Sequence, residues 1–135
     1  MKTVFIDTSV ILDVLLQNEG FWQDSLEIVR LAELKKITAF VSASSITDIF
    51  YVIRKKLPVP AARAAIENLL SIFEIAGVDG NDLRKALTVP INDIEDALQA
   101  WCAMKSGAEA LITRNANDFQ GIDIPVTTPL NFKMY

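Results

Sequence analysis

Short runs of β-forming residues alternate with segments of helical spacing along the whole of this chain. Thr3-Val4-Phe5-Ile6 is the first strand candidate. Asp7-Thr8-Ser9 follows as a helix start with Asp7 at the N-cap, and Val10, Ile11, Val14 and Leu15 repeat at helical spacing. Gly20 marks a break. The pattern predicts a second helix over 25–36, closed by Lys35 and Lys36 at the negative end of its dipole. Residues 37–41 (ITAFV) form the next strand candidate. A helix over 42–56 then carries Ile46, Ile49, Phe50 and Ile53 on one face, and Pro58 and Pro60 end it. Helical segments over 61–70 and 79–87 flank a strand candidate at 73–76. A last helix over 92–105 has Asn92 as its cap with Glu95 three residues on, as in a capping box, and Gly107 stops it. Residues 110–113 (ALIT) form a fourth strand candidate before the polar loop 114–118. Ile124-Pro125-Val126 reads as an edge strand, because Pro lacks an amide donor. This alternation predicts an α/β sandwich with a mainly parallel sheet, whose sites lie beyond the carboxyl ends of the strands.

Composition narrows the chemistry. The 135 residues fit one domain spanning 1–135, and 51% apolar with 22% charged residues support a packed core. There is no His and one Cys, Cys102. That excludes Ser-His-Asp, Cys-His and zinc-cluster sites within the chain, and favours a reducing compartment. Any metal must be held by oxygen ligands, which favours Mg²⁺ or Mn²⁺. The net charge of −4 argues against a nucleic-acid coat but leaves room for an enzyme that meets nucleic acid at one metal-bearing site. Asp7 and Asp13 interrupt the apolar N-terminal run, no cleavage site follows it, and no membrane-length apolar stretch occurs. The expectation is a soluble cytoplasmic protein with no membrane association.

Four acids stand where strand ends or helix starts place them: Asp7, Asp48, Asp96 and Asp118. Carboxylates gathered at one sheet edge repel one another unless a cation neutralises them. Bound Mg²⁺ or Mn²⁺ can also activate water for phosphodiester cleavage. Each acid has a plainer reading as well. Asp7 can serve only as a cap, and Asp93, Glu95 and Asp96 all suit a helix N-terminus. On the helical wheel Asp96 heads a stripe with Ala100 and Ala103, whereas Glu95 shares a polar flank with Gln99, so Asp96 is preferred as the functional acid. Asp48 lies roughly opposite its helix's apolar face, in line with Ser44 and Lys55, as a solvated residue would. Phe50-Tyr51 and Trp101 read as core or interface residues rather than base-stacking platforms. Arg54-Lys55-Lys56 complements a helix dipole, and Cys102 has no basic neighbour to activate it.

Four motifs in order resemble the PIN domain, most of all the small bacterial proteins related to VapC toxins. They are Phe5-Ile6-Asp7-Thr8-Ser9, Val41-Ser42-Ala43 leading to Thr47-Asp48-Ile49, Glu95-Asp96-Ala97-Leu98, and Leu111-Ile112-Thr113-Arg114-Asn115 with Asp118-Phe119. The resemblance implies a three-layer sandwich with a parallel sheet flanked by helices, and a metal-dependent ribonuclease that is the toxin of a toxin–antitoxin pair. It implies Asp7, Asp48 and Asp96 as catalytic acids and Asp7, Asp96 and Asp118 as ligands of Mg²⁺ or Mn²⁺. Thr113, Arg114 and Asn115 would face the RNA, with Arg54-Lys55-Lys56 a further contact for its backbone. The implied partners are RNA, a small antitoxin and a second copy in a homodimer.

Two positions depart from the family pattern. Asp48 stands where most members have Glu and is one methylene shorter. Asn115 stands where many have a fourth Asp, with Asp118 three residues on. The alternative is therefore a catalytically weak or inactive PIN-like interaction module. A phosphoryl-transfer enzyme with Asp7 as nucleophile is less favoured, because Ser9 occupies the place of its usual second Asp. Dinucleotide binding lacks its Gly-rich turn.

Overall fold

The apolar runs become strands, and the strands pair in one sheet. In the computed structural model, which describes residues 2–132, these are β1 (Lys2–Ile6), β2 (Ile37–Ser42), β3 (Glu74–Ala76), β4 (Ala110–Ile112) and β5 (Val126–Thr127). Their order is β3-β2-β1-β4-β5, and every pairing is parallel. The helices are α1 (Thr8–Leu16), α2 (Trp22–Glu33), α3 (Ala43–Ile53), α4 (Val59–Ile72), α5 (Gly80–Ala86) and α6 (Ile94–Lys105), with a 3-10 turn over Ala116–Phe119. Among the described residues no helix is long and apolar enough to cross a membrane.

The layers follow from the pleat. Successive side chains of a strand point to opposite faces, so a strand buried on both sides reads as an unbroken apolar run. Val4, Phe5 and Ile6 are all fully buried. Val4 and Ile6 pack with Val10, Ile11, Ile28, Ile49 and Leu69 of α1 to α4. Phe5 and Leu111 pack on the other face with Ala86 of α5, Ala97 and Ala103 of α6, and Phe119. Each buried Ile or Phe contributes about 1.5–3 kcal/mol of transfer free energy, so the two faces of β1 hold the layers together. The predicted three-layer α/β sandwich is the observed one, and its sheet is parallel throughout.

Boundaries differ where local caps override the pattern. Lys35 and Lys36 lie beyond α2 instead of closing it. Lys35 adopts φ +60 and donates to the Ala32 carbonyl, and Lys36 donates to that of Leu31, a Schellman cap built without glycine. Helix α3 stops at Ile53, so Arg54-Lys55-Lys56 forms a turn before Pro58. Pro60 lies in the first turn of α4, where a missing N–H costs nothing. Asp93, not Asn92, caps α6: its Oδ1 accepts from the Asp96 N–H at 3.0 Å. Gly107 ends α6 as expected, with φ +70.

Chain order and spatial order together locate the crevice. The chain lays down β1, β2 and β3 in one direction, then returns to place β4 and β5 on the far side of β1. The reversal falls between β1 and β4, and crevices in parallel sheets open beyond the carboxyl ends at such a point. Helices α1 and α3 start there directly from β1 and β2, which brings their positive dipole ends to that edge.

Helix α5 is fixed to α6 by one carboxylate. Asp82 accepts from Trp101 Nε1 at 2.9 Å, Lys105 Nζ at 2.9 Å and the Asp79 N–H at 2.9 Å, while Asp79 caps the Asp82 N–H in return. The Trp101, Asp79 and Lys105 donors hold the Asp82 carboxyl well below the usual range. A pKa lowered by folding contributes stability above its unfolded value of about 4, and that contribution fades as pH falls. Asp82→Ala should lower Tm at pH 7 by at least about 4 °C. Calorimetry should show the gap from wild type narrowing below about pH 4. A gap that is independent of pH would assign Asp82 to packing alone.

Candidate active site

Strand pairing fixes the first acid. Asp7 is the residue after β1, and its N–H donates to the Ile112 carbonyl of β4 at 2.9 Å. It stands at the N-cap of α1, but its side chain makes no capping bond, contrary to the sequence expectation. The carboxylate turns into the crevice edge instead. Oδ2 accepts from Thr113 Oγ1 at 2.8 Å and Ser9 Oγ at 2.9 Å, and Oδ1 accepts from Gln99 Nε2 at 3.1 Å. Asp7 is only 7% exposed. Neutral donors from three elements therefore satisfy it without cancelling its charge.

Gln99 was not singled out from the sequence, yet it ties three helices together. Its Nε2 also lies 3.0 Å from Thr8 Oγ1 and 2.9 Å from Ser45 Oγ. An amide nitrogen carries two hydrogens, so these acceptors share them. Thr8 Oγ1 donates to Ser45 Oγ at 2.7 Å, and Ser42 Oγ caps the Ser45 N–H at 3.1 Å. The available signal was a Gln set between Leu98 and Ala100, where the rest of the helix interior is apolar.

Asp7, Asp48, Glu95 and Asp96 line one cleft of about 430 Å³. Asp48 is exposed on α3, as its wheel position predicts, and the cleft is what it is exposed to. Its side chain is hydrogen-bonded to Glu95. That bond, burial and the nearby charges of Asp48, Asp93 and Asp96 raise the Glu95 carboxyl above its ordinary value. Glu95 was set aside in favour of Asp96, and the fold brings both to the cleft. Burial, followed by the charges of Asp93, Asp7 and Asp118, pushes Asp96 up to about 6.

The loop after β4 distributes its residues differently from expectation. Thr113 is fully buried and acts on Asp7 rather than facing a ligand. Asn115 is exposed, outside the cleft lining, and donates its backbone N–H to Thr113 Oγ1 at 3.0 Å. Asp118 is exposed on the 3-10 turn, also outside the lining, close enough to act on Asp96 by its charge. Arg114 lines the cleft. Its Nη1 stands 3.4 Å from Oδ1 of the fully buried Asp13, and its guanidinium lies over Phe21 at 4.7 Å. Tyr51, read as core or interface, is exposed and lines the same cleft.

The donor set suits a hard cation. Every potential ligand is an oxygen, and the causes that raise Asp96, burial together with the neighbouring charges of Asp93, Asp7 and Asp118, are ones a divalent ion would offset. Among the described residues no three His, Cys, Asp or Glu side chains are gathered tightly enough to hold an ion. Asp7 and Asp96, both in the cleft lining, would be the oxygen ligands open to an ion that keeps several waters, the usual habit of Mg²⁺.

A metal ion held by Asp96 would compete with its proton. With its pKa at about 6, the apparent Mn²⁺ affinity should rise about tenfold between pH 5 and pH 7, read as a larger Mn²⁺-induced rise in Tm. Folding raises this pKa, so metal-free protein loses stability as pH climbs from about 4 to about 6. Asp96→Asn should therefore raise the metal-free Tm at pH 7 and abolish the Mn²⁺ response. A Mn²⁺ shift that survives Asp96→Asn would remove Asp96 from the site.

Comparison with known proteins agrees with this fold. VapBC-1 from nontypeable Haemophilus influenzae superposes with a TM-score of 0.71 at 19% identity, covering 96% of this chain and 99% of that one. VapBC2 from Rickettsia felis, bound to a promoter DNA fragment, gives 0.70 at 18%, covering 93% and 98%. VapC20 from Mycobacterium tuberculosis, a sarcin-ricin loop cleaving toxin, gives 0.62 at 17%, covering 80% and 86%. No curated protein sequence matches significantly. The sequence model of the PIN domain matches residues 3–117, the span that carries Asp7, Asp48, Glu95, Asp96 and the Thr113 that orients Asp7, and the chain belongs to the PIN domain family.

Proposed function

We propose that this protein is a metal-dependent endoribonuclease acting in the cytoplasm, and the toxin of a toxin–antitoxin pair. The observation that carries the reading is the meeting of Asp7, Asp48, Glu95 and Asp96 in one cleft at the β1/β4 crevice of a PIN domain. The reaction is hydrolysis: a water oxygen bonds to phosphorus, and the bond from phosphorus to the leaving sugar oxygen breaks. Bound Mg²⁺ or Mn²⁺ supplies a water of lowered pKa and neutralises phosphate charge. Asp7 and Asp96 would hold the ion, and Asp118 would add its charge beside Asp96. The hydroxyls of Ser9 and Thr113 and the Gln99 amide keep Asp7 from reorienting as charge moves. Asp48 and Glu95, both in the cleft lining, are positioned to orient the water. Arg114, anchored on Asp13, meets the phosphate.

The structural neighbours that are complexes with an antitoxin support a small protein partner. The apolar groove between α3 and α4, lined by Ile46, Phe50, Ile66 and Leu70, is suited to receive it. Exposed Leu57, Val59 and Leu87 support pairing with a second copy. Light scattering should report a dimer at micromolar concentration, and a monomer would count against self-association.

Asp7→Asn should lower Mn²⁺-dependent cleavage of single-stranded RNA by about 10²-fold or more while the protein stays folded. The substituted amide keeps one oxygen for Ser9 and Thr113, and Gln99 can turn its unpaired Oε1 toward the new N–H₂. Asp48→Glu should raise the rate by restoring the methylene. If the wild type leaves single-stranded RNA intact with Mn²⁺ present and antitoxin absent, the enzyme reading fails and the interaction-module reading replaces it.

A further inference from the structure

The charge of the cleft works against any nucleic acid. Its lining includes four carboxylates, and the chain as a whole carries −4. Affinity for a phosphate backbone normally comes from surplus Lys and Arg. Here a single cation, Arg114, lines the cleft against the carboxylates, and it meets a phosphate with part of its charge already taken up by Asp13. Arg114 also lies over Phe21. Lys55 Nζ stands 4.7 Å from the centroid of the Tyr51 ring. One metal ion would not offset the remaining repulsion along a strand, so the strand needs a grip that is not electrostatic.

That grip is present on the α3 wall. Ser44, Asp48, Tyr51 and Lys55 recur at helical spacing, so the ring follows Asp48 by one turn on the same stripe. Tyr51 is 63% exposed and lines the cleft, with Leu12 of α1 and its neighbour Val52 as apolar surface beside it. Large aromatic rings rarely stay in water without a reason, and this one stands at the mouth of an acidic site. Lys55 Nζ stands over one face of the ring, which leaves the other face for a base.

We propose that Tyr51, backed by Leu12 and Val52, is a nucleobase-stacking subsite that takes one unpaired nucleotide of an RNA strand lying along the acidic cleft. The proposal rests on the nuclease reading for the identity of the strand. Every base has a π face, so the subsite selects for an unpaired base and not for a particular letter. In a duplex the bases are already stacked on one another and closed to the ring.

The test is a binding cycle between protein and RNA, read without cleavage. Fluorescence anisotropy measures a short labelled single-stranded RNA with Mg²⁺, every protein carrying Asp7→Asn to prevent turnover. Tyr51→Ala should weaken binding about tenfold, and Tyr51→Phe should hold it within about twofold. Moving a single abasic site along the RNA should find one position that costs the same about tenfold with Tyr51 present and nothing further with Tyr51→Ala. Tyr51 is exposed, so both variants should keep the wild-type Tm. Equal binding by Tyr51→Ala, or losses that simply add at every position, overturns the subsite. So does a Tyr51→Ala protein that binds RNA normally but loses self-association, which would make the ring a protein contact. The two readings fail separately. Cleavage by protein with Asp7 intact, together with additive losses, sinks only the subsite. A non-additive cycle without any cleavage sinks only the nuclease. Absence of RNA binding sinks the subsite, and the nuclease reading stands or falls on cleavage by protein with Asp7 intact.

Discussion

A carboxylate buried at the end of the central strand is the constraint around which this molecule is arranged. Removing an anion from water costs several kcal/mol unless its lone pairs are satisfied. Asp7 satisfies them with two hydroxyls and an amide drawn from α1, the end of β4 and α6. Among the described residues no Lys or Arg side chain is ion-paired with it. A salt bridge would have met the same need and consumed the charge, as Lys105 does for Asp82. Neutral donors hold the group still and leave it anionic. The pairing of β1 with β4 is inseparable from this arrangement, because the residue that follows each strand is one half of the Asp7–Thr113 hydrogen bond.

Helix α6 shows how such a site is kept in register. Gln99 and Trp101 are two residues apart, about 200° around the helix. One reaches Asp7 and the other reaches Asp82, so hydrogen bonds on opposite sides fix its rotation. Ala97, Ala100 and Ala103 are fully buried between those anchors and let the helix lie close to the sheet. The same rotation aims Asp96 into the cleft, where its charge is least welcome. At that one residue the fold holds a carboxylate whose charge it disfavours, and α5 supports the fold from a distance.

What could be read from the sequence divides along physical lines. Periodicity and strand-end placement identify the layers and put Asp7 and Asp96 at one edge, because both depend on local pattern. Asp48 was correctly placed away from its apolar face, but a helical wheel cannot say whether that side meets water or a cleft. Gln99, Glu95 and Tyr51 escaped for the same reason: their roles depend on what another element brings to meet them. The cap of α6 is instructive. Moving it from Asn92 to Asp93 shifts Glu95 from the third helical position to the second. Its carboxyl is then released from capping and free to meet Asp48. Asp13 read as an interruption of an apolar run, and became the buried counterion of an arginine more than a hundred positions away.

Spatial order and chain order also differ in time. The Thr113 that follows β4 is made after more than four-fifths of the chain, and α6 with its Gln99 after more than two-thirds. While the chain emerges from the ribosome, β1 can pair with β2, but Asp7 lacks two of its three side-chain donors and one wall of its cleft. Every acid except Asp118 precedes the completion of that wall. A prematurely terminated product ending before residue 113 therefore carries Asp7, Asp48, Glu95 and Asp96 with no sheet edge to gather them. The order of synthesis leaves the assembled site to the finished polypeptide.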